Sequence, residues 1–284
     1  MSYIRLYKTT SGIIAYYNGL YYHLHTHWDL LVNSPHLFTS LQAAISVAAA
    51  APDAAAVIKQ QLLPPIGAQE IWAAGVTYYR SRVARMEESE VAGGATFYDM
   101  VYEAERPELF FKSTPARAVG HGQQVYIRKD STWDVPEPEL TLFINSYGGI
   151  QGYTIGNDMS SRSIEGENPL YLPQAKVYEK SAAIGPCLYV PENPLPPETE
   201  IHMQILRNNE VQYKDAVPIS QMKRSHQELA GYLFRECDFP DGCYLMTGTC
   251  LVPDNSFTLQ ENDVVEITIP PIGTLVNYVA VNKK

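Results

Sequence analysis

The 284-residue sequence is short of charge and of cysteine, and it has no long apolar run. Charged residues make up 18% of it, and basic ones are the scarcer sign. There are 21 Lys and Arg against 31 Asp and Glu, a formal net charge of −10. So little positive charge argues against nucleic acid or an anionic membrane as a partner. An anionic ligand would need a local reversal of that field, by a metal ion or by clustered Lys and Arg. No stretch of about 18 apolar residues occurs, so no transmembrane helix is expected. The opening MSYIRLYKTT has neither the basic region nor the apolar run of a signal peptide, and the expectation is a cytoplasmic protein. Cys187, Cys237, Cys243 and Cys250 lack CxxC spacing, so free thiols are expected rather than disulfides or a zinc site.

What is plentiful is apolar and aromatic. Hydrophobic residues make up 45% of the chain, with 20 Tyr, enough for a large core and too many for a disordered or collagen-like chain. Residues 2–31 read as short strands, with a hairpin signal at Asn18-Gly19. The Ala-rich stretch from Ser40 to Leu62 has helical spacing, with Ser40 as N-cap and a break at Pro52-Asp53. Pro64-Pro65-Ile66-Gly67 reads as a linker, placing a boundary near residue 66. The expected division is a small α/β N-terminal domain, 1–66, and a large domain, 67–284. In the second, Glu70 to Val76 reads as a strand and Tyr78 to Glu90 as a helix. Short β runs punctuated by Gly and Pro follow, with one helix between Ser220 and Arg235 capped by Ser220. The class expected is α+β, mostly β.

Three segments can carry chemistry. Glu137-Pro138-Glu139 on an extended segment projects two carboxylates to one side. Like charges held that close are costly unless a cation lies between them, and hard oxygen donors suit Mg²⁺, Mn²⁺ or Ca²⁺. Taken alone, the pair reads more readily as a solvated edge strand. Asp158, in a Gly156-Asn157-Asp158 turn, is a third oxygen donor or a simple turn carboxylate. Lys176, flanked by apolar and aromatic residues, is a base if burial lowers its pKa, or a snorkelling surface side chain. His23, His25 and His27 alternate as a strand face would, but three ligands from one strand rarely satisfy a metal, and they read as a polar face.

Together these segments resemble the fumarylacetoacetate hydrolase superfamily over roughly residues 67–284. The most specific pieces are Glu137-x-Glu139, Gly152-Tyr153-Thr154-x-Gly156-Asn157-Asp158, Gly185-Pro186, Thr247-Gly248-Thr249 and Ile272-Gly273-Thr274-Leu275-Val276-Asn277. The resemblance implies a rolled mixed β-sheet domain, a homodimer or homotetramer, and a divalent metal held by Glu137, Glu139 and Asp158. That metal is usually Mg²⁺ or Mn²⁺ in the family, with Ca²⁺ an alternative occupant. Family hydrolases carry a water-activating His three residues after Gly-x-Asn-Tyr. Here Gly75-Val76-Thr77-Tyr78 is followed by Ser81 at that place, and Ser is a poor general base.

The run from Ser160 to Lys176, and Arg106-Pro107-Glu108-Leu109-Phe110-Phe111-Lys112, are similar to the 2-keto-3-deoxy-D-arabinonate dehydratase branch. That similarity implies a site completed by Glu108, Lys176 and Thr274, beside Gly273. It implies dehydration of a 2-oxo sugar acid through a metal-stabilised enolate, giving 2,5-dioxopentanoate from a pentonate. Lys176 and Glu108 would share the acid and base roles. Ser81, Arg80 and Arg82 are candidates for binding the substrate's hydroxyls or carboxylate, from their position beside the missing His. The competing expectations are a hydrolase or decarboxylase of acylpyruvates or diketo sugar acids, with Glu87 or Glu88 as base, and a non-catalytic sugar-acid binding protein.

Overall fold

A computed structural model of the chain describes residues 2–78 and 101–284. Its frame is a ten-stranded mixed sheet. The order along it is β3 (Leu20–Leu24), β2 (Gly12–Tyr17), β1 (Tyr3–Thr9), β12 (Ala182–Pro191), β10 (Ile150–Asp158), β9 (Pro138–Ile144), β15 (Cys243–Met246), β4 (Glu70–Gly75) and β5 (Glu108–Ser113). The short β6 (Ala118–Val119) pairs in parallel with β12. A second sheet runs β14 (Glu210–Pro218), β13 (Glu200–Arg207), β16 (Val264–Ile269), β17 (Gly273–Val281) and β7 (Gln123–Ile127). β8 (Asp134–Val135) and β11 (Ser160–Ser161) form a two-stranded ribbon beside the large sheet.

The strands sort their side chains with period two, and this builds three layers. On β12, Ala183, Cys187 and Tyr189 join a core with Ile201, Met203 and Ile267 of the second sheet. Ala182, Ile184, Leu188 and Val190 of the same strand face the other way. There they meet Val32 of α1 (Trp28–Val32) and Leu37, Leu41 and Ile45 of α2 (Leu37–Ser46). Every residue of β9 is buried, as a central strand covered on both faces must be. Ile4 and Leu6 of β1 share the helix-side core with Ile71, Phe143 and Tyr244, because β1 pairs with β12 in the same sheet.

Local chemistry explains most boundaries. Asn18 (φ 49°) and Gly19 (φ 84°) make the expected two-residue hairpin turn between β2 and β3. Asn208 and Asn209, both at positive φ, do the same between β13 and β14. The Ala-rich segment does divide at Pro52-Asp53, into α2 and α3 (Ala54–Gln61). Ser40 is not its cap: α2 begins at Leu37, and the Ser40 hydroxyl pairs with that of Ser34 at 2.7 Å. Nor does Ser220 start the late helix, since it lies in a 3₁₀ turn, Ile219–Gln221. The Ser225 hydroxyl accepts from the backbone N–H of Glu228 three residues on, the arrangement that favours a helix start there. His25 and His27 fall beyond the end of β3, so the three histidines do not share a strand face. Residues 79–90 of the expected helix lie outside the described residues. Among the described residues no helix is long and apolar enough to cross a membrane.

Candidate active site

The site forms where β9 and β10 end together. Gly156 of β10 sits opposite Glu139 and Asn157 opposite Pro138, and the Asp158 N–H donates to Glu137 O at 2.9 Å. Glycine is required at 156, because a Cβ there would lie 2.3 Å from Thr141 Oγ1. The register carries Glu137, Glu139 and Asp158 to one point. One ligand atom from each lies within 4.8 Å of the others, and all three side chains are buried. Gly156-Asn157-Asp158 is therefore the buried end of a strand and not the turn expected from its composition. The neighbouring strands keep the segment extended.

Lys176 completes the cluster from the other side. After the N-capped α4 (Arg162–Glu167), a 3₁₀ turn at Pro169–Tyr171 leads into α5 (Leu172–Lys176), whose last residue is Lys176. Its ammonium is fully buried and donates to Glu137 Oε2, with Asp158 Oδ2 at 3.3 Å. The Phe110 ring lies 5.8 Å from the same nitrogen. The snorkelling alternative for Lys176 thus does not hold.

β5 supplies the facing wall. Glu108, Phe110 and Lys112 alternate along it and so share one face. Gly75 on β4 sits opposite Glu108, and a Cβ on Gly75 would lie 1.9 Å from Glu108 Oε2. The missing side chain at 75 is what admits the Glu108 carboxylate to this wall. The next residue, Val76, has φ 51°, a costly conformation for a β-branched side chain, and it too lines the cleft. The cleft is lined by Gly75, Val76, Phe110, Arg162, Lys176, Thr249 and the three carboxylates, among others.

The electrostatics follow from burial. Glu139 is held well above the usual carboxylate range, first by burial and then by the charges of Asp158 and Glu137. Burial also pushes Asp158 up, but Lys112 and Lys176 outweigh it and the net shift is downward. Burial lowers the Lys112 ammonium, with Asp158 opposing. Glu139, a buried carboxylate with no ion pair of its own among the described residues, completes an all-oxygen set that fits a divalent cation.

Other expected residues are not brought here. Gly273 and Thr274 open β17 in the second sheet, and neither lines the cleft. The Thr274 hydroxyl pairs with that of Thr268 at 2.9 Å instead. Arg80, Ser81, Arg82, Glu87 and Glu88 lie outside the described residues. Conversely, Lys112, Arg162, Gly248 and Thr249 belong to the cluster or its cleft, although the sequence alone assigns them no role there. Alternation with Glu108 was a legible signal for Lys112, and the Thr247-Gly248-Thr249 motif was one for the last two.

The sequence pattern described as "Fumarylacetoacetate (FAA) hydrolase C-terminal" matches residues 71–280, and the chain belongs to that family. It is 52% identical over 225 residues to a probable 2-keto-3-deoxyxylonate dehydratase of Haloferax volcanii, covering 79% of this chain and 76% of that one. It is 43% identical over 227 residues to the 2-dehydro-3-deoxy-D-arabinonate dehydratase of Saccharolobus solfataricus, with the same two coverages. A solved 2-keto-3-deoxy-D-arabinonate dehydratase complexed with magnesium and 2,5-dioxopentanoate superposes with a TM-score of 0.84 at 34% identity, covering both chains fully.

Proposed function

We propose that this chain is a hydro-lyase. It dehydrates a 2-keto-3-deoxy sugar acid of the 2-dehydro-3-deoxy-D-arabinonate type to 2,5-dioxopentanoate, with Mg²⁺ or Mn²⁺ held by Glu137, Glu139 and Asp158. The observation that carries the reading is a fully buried lysine ammonium seated on two of those carboxylates, in a cleft lined by Gly75, against which the Glu108 carboxylate packs. The dehydratase relatives, covering most of the chain, support it.

A bound divalent cation supplies Lewis-acid polarisation of the 2-oxo group. The chain's own residues do the proton work. Lys176 and Glu108 share two transfers, removal of a proton from C3 and delivery of a proton to the C4 hydroxyl, which leaves as water. The 5-hydroxy-3-enoate that remains then tautomerises to 2,5-dioxopentanoate. Phe110 and Val76 line the cleft beside Lys176 and help keep bulk water from it. Neither transfer needs an activated water, which agrees with Ser81 in place of a histidine. The same reading carries a cytoplasmic homodimer or homotetramer, a state that sedimentation velocity would test.

The direct test supplies purified protein with Mg²⁺ and 2-keto-3-deoxypentonate, with a coupled aldehyde dehydrogenase as readout. Aldehyde formation that stops on chelation is the expected result. Absence of turnover alongside cleavage of a carbon–carbon bond in an acylpyruvate would overturn the proposal.

A further inference from the structure

The chain leaves β4 through Thr77 and Tyr78 and enters β5 through residues 101–107. Both places meet one short segment, Met222-Lys223-Arg224, which precedes α6 (His226–Leu233). At the exit, the Lys223 backbone N–H donates to Thr77 O at 2.9 Å, and Tyr78 forms an isolated bridge with Met222. At the entry, Arg224 Nη1 donates to Glu105 O at 2.8 Å and Nη2 to Ala104 O at 2.5 Å, with Val101 O at 3.5 Å. Lys223 Nζ donates to Tyr102 O. The Tyr232 hydroxyl of α6 donates to Glu105 Oε1 at 3.3 Å, and the Arg106 guanidinium lies 5.5 Å from the Tyr232 ring.

Arg224 is the buried member of this clamp, 8% exposed, with its charge matched by Glu228 Oε1 at 2.6 Å. A guanidinium presents its donors in a rigid planar fork, so one side chain holds two carbonyls and a carboxylate together, a geometry that an ammonium does not reproduce. Glu108 lies three residues beyond Glu105. Its pairing with Gly75 is the last in the register of β4 and β5, and β5 is the edge of the large sheet, paired with β4 on one side. The terminal pair of an edge strand is the first to open unless something beyond the ladder tethers it. Arg224 supplies that tether, on the stretch of backbone that leads into Glu108.

We propose that Arg224 is the positioning residue of Glu108. By clamping the carbonyls of Ala104 and Glu105 it fixes the entry to β5 and so holds the Glu108 carboxylate against Gly75, in place for its proton transfer. Arg224 is not among the residues that line the cleft, so its effect on the reaction runs through the backbone of residues 104–108. The inference rests on the reading of Glu108 as a proton-transfer residue.

Steady-state kinetics with Mg²⁺ and 2-keto-3-deoxypentonate test it, on Arg224→Met alone and combined with Glu108→Gln. A displaced proton-transfer group loses rate steeply, so Arg224→Met lowers kcat by about tenfold or more and leaves KM within about threefold of wild type. Residues that act through one another are non-additive, so in the Glu108→Gln background the same substitution changes the residual kcat by less than about twofold. A merely structural role would lower Tm and cut kcat equally in both backgrounds, and that result overturns the inference. So does an unchanged kcat in folded Arg224→Met, or a raised KM with kcat kept. Should Glu108→Gln leave no measurable turnover, the split between kcat and KM in the single variant decides. If Arg224→Met does not fold, Arg224→Lys keeps the charge beside Glu228 without the fork and lowers kcat by about threefold or more at unchanged KM; an unchanged kcat there overturns the inference too. A Glu108→Gln variant that keeps the wild-type kcat overturns the role of Glu108 and the inference with it, whereas loss of turnover in Glu108→Gln beside full activity in Arg224→Met overturns the inference alone.

Discussion

Substituting Gly75 by alanine is the sharpest probe of Glu108, because it displaces that carboxylate without deleting it. A Cβ at position 75 would lie 1.9 Å from Glu108 Oε2 and 2.6 Å from Cδ. Ordinary contact begins near 3.4 Å, so the carboxylate must retreat by about 1.5 Å. The retreat is cheap for the fold. Glu108 is a flexible side chain at the start of the edge strand β5, and Gly75 is not held at positive φ. For proton transfer it is expensive, since a misplacement of about 1 Å costs on the order of 10²-fold in rate. Gly75→Ala should therefore lower kcat about 10²-fold, equivalent to about 2.7 kcal/mol on the barrier. Tm and Mg²⁺ affinity should stay close to wild type, because Glu108 is not one of the three cation-holding carboxylates. The coupled aldehyde assay, a thermal melt and a Mg²⁺ titration read the three quantities. A kcat within threefold of wild type in a normally folded variant would refute the assignment of Glu108 to a proton transfer. Loss of Mg²⁺ binding would refute the claim that Glu108 acts on the substrate rather than on the cation site.

Two further outcomes follow from burial and charge. Glu139→Gln keeps the shape of the triad but removes a charge, so it should abolish both turnover and the Mg²⁺-dependent rise in Tm seen by differential scanning fluorimetry; a preserved Tm rise would remove Glu139 from the cation site. Asp134 lies in β8 outside the triad, and burial pushes its carboxyl up to about 6, with hydrogen bonds opposing. Its folded pKa thus exceeds the unfolded value near 3.9, so the folded state binds the extra proton and stability falls as pH rises from about 4 through 6. Asp134→Asn removes that loss. Urea denaturation should find the variant equal to wild type near pH 4 and about 2 kcal/mol more stable at pH 8, and equal stabilities at pH 8 would show that the Asp134 carboxylate is well solvated.

How much of this site could be read in advance depended on whether its parts are local in the chain. Glu137 and Glu139 are two residues apart on an extended segment, and Asp158 closes the strand that pairs with it, so period-two spacing and a short antiparallel register suffice to join them. Lys176 and Glu108 were reached through family resemblance, and their burial and relation to Gly75 appear only once β4 pairs with β5. Thr274 was likewise reached through the resemblance. Its motif lies on β17, whose neighbours β16 and β7 hold it in the second sheet, and the hydroxyl it meets is Thr268.

The donors that grip the carboxylates were the hardest to foresee, for a physical reason. Lys112 reads as one more charged residue at the end of an apolar run, and Arg162 as the first residue of a helix. Each gains its role only when long-range pairing buries it against an acid 46 residues away for Lys112 and 25 for Arg162. Yet a buried carboxylate needs such a partner to repay its desolvation. Three acidic residues inferred to converge in an apolar interior therefore imply cationic or N–H donors nearby before any coordinates are known. The candidates are the few Lys and Arg that fall inside strand or motif patterns rather than in loops. Of the 21 basic residues, Lys112 in Leu109-Phe110-Phe111-Lys112, Arg162, four residues after Asp158, and Lys176 are among those that meet that condition. The −10 charge of the chain thus coexists with a site where scarce positive charge is spent on holding three carboxylates in place.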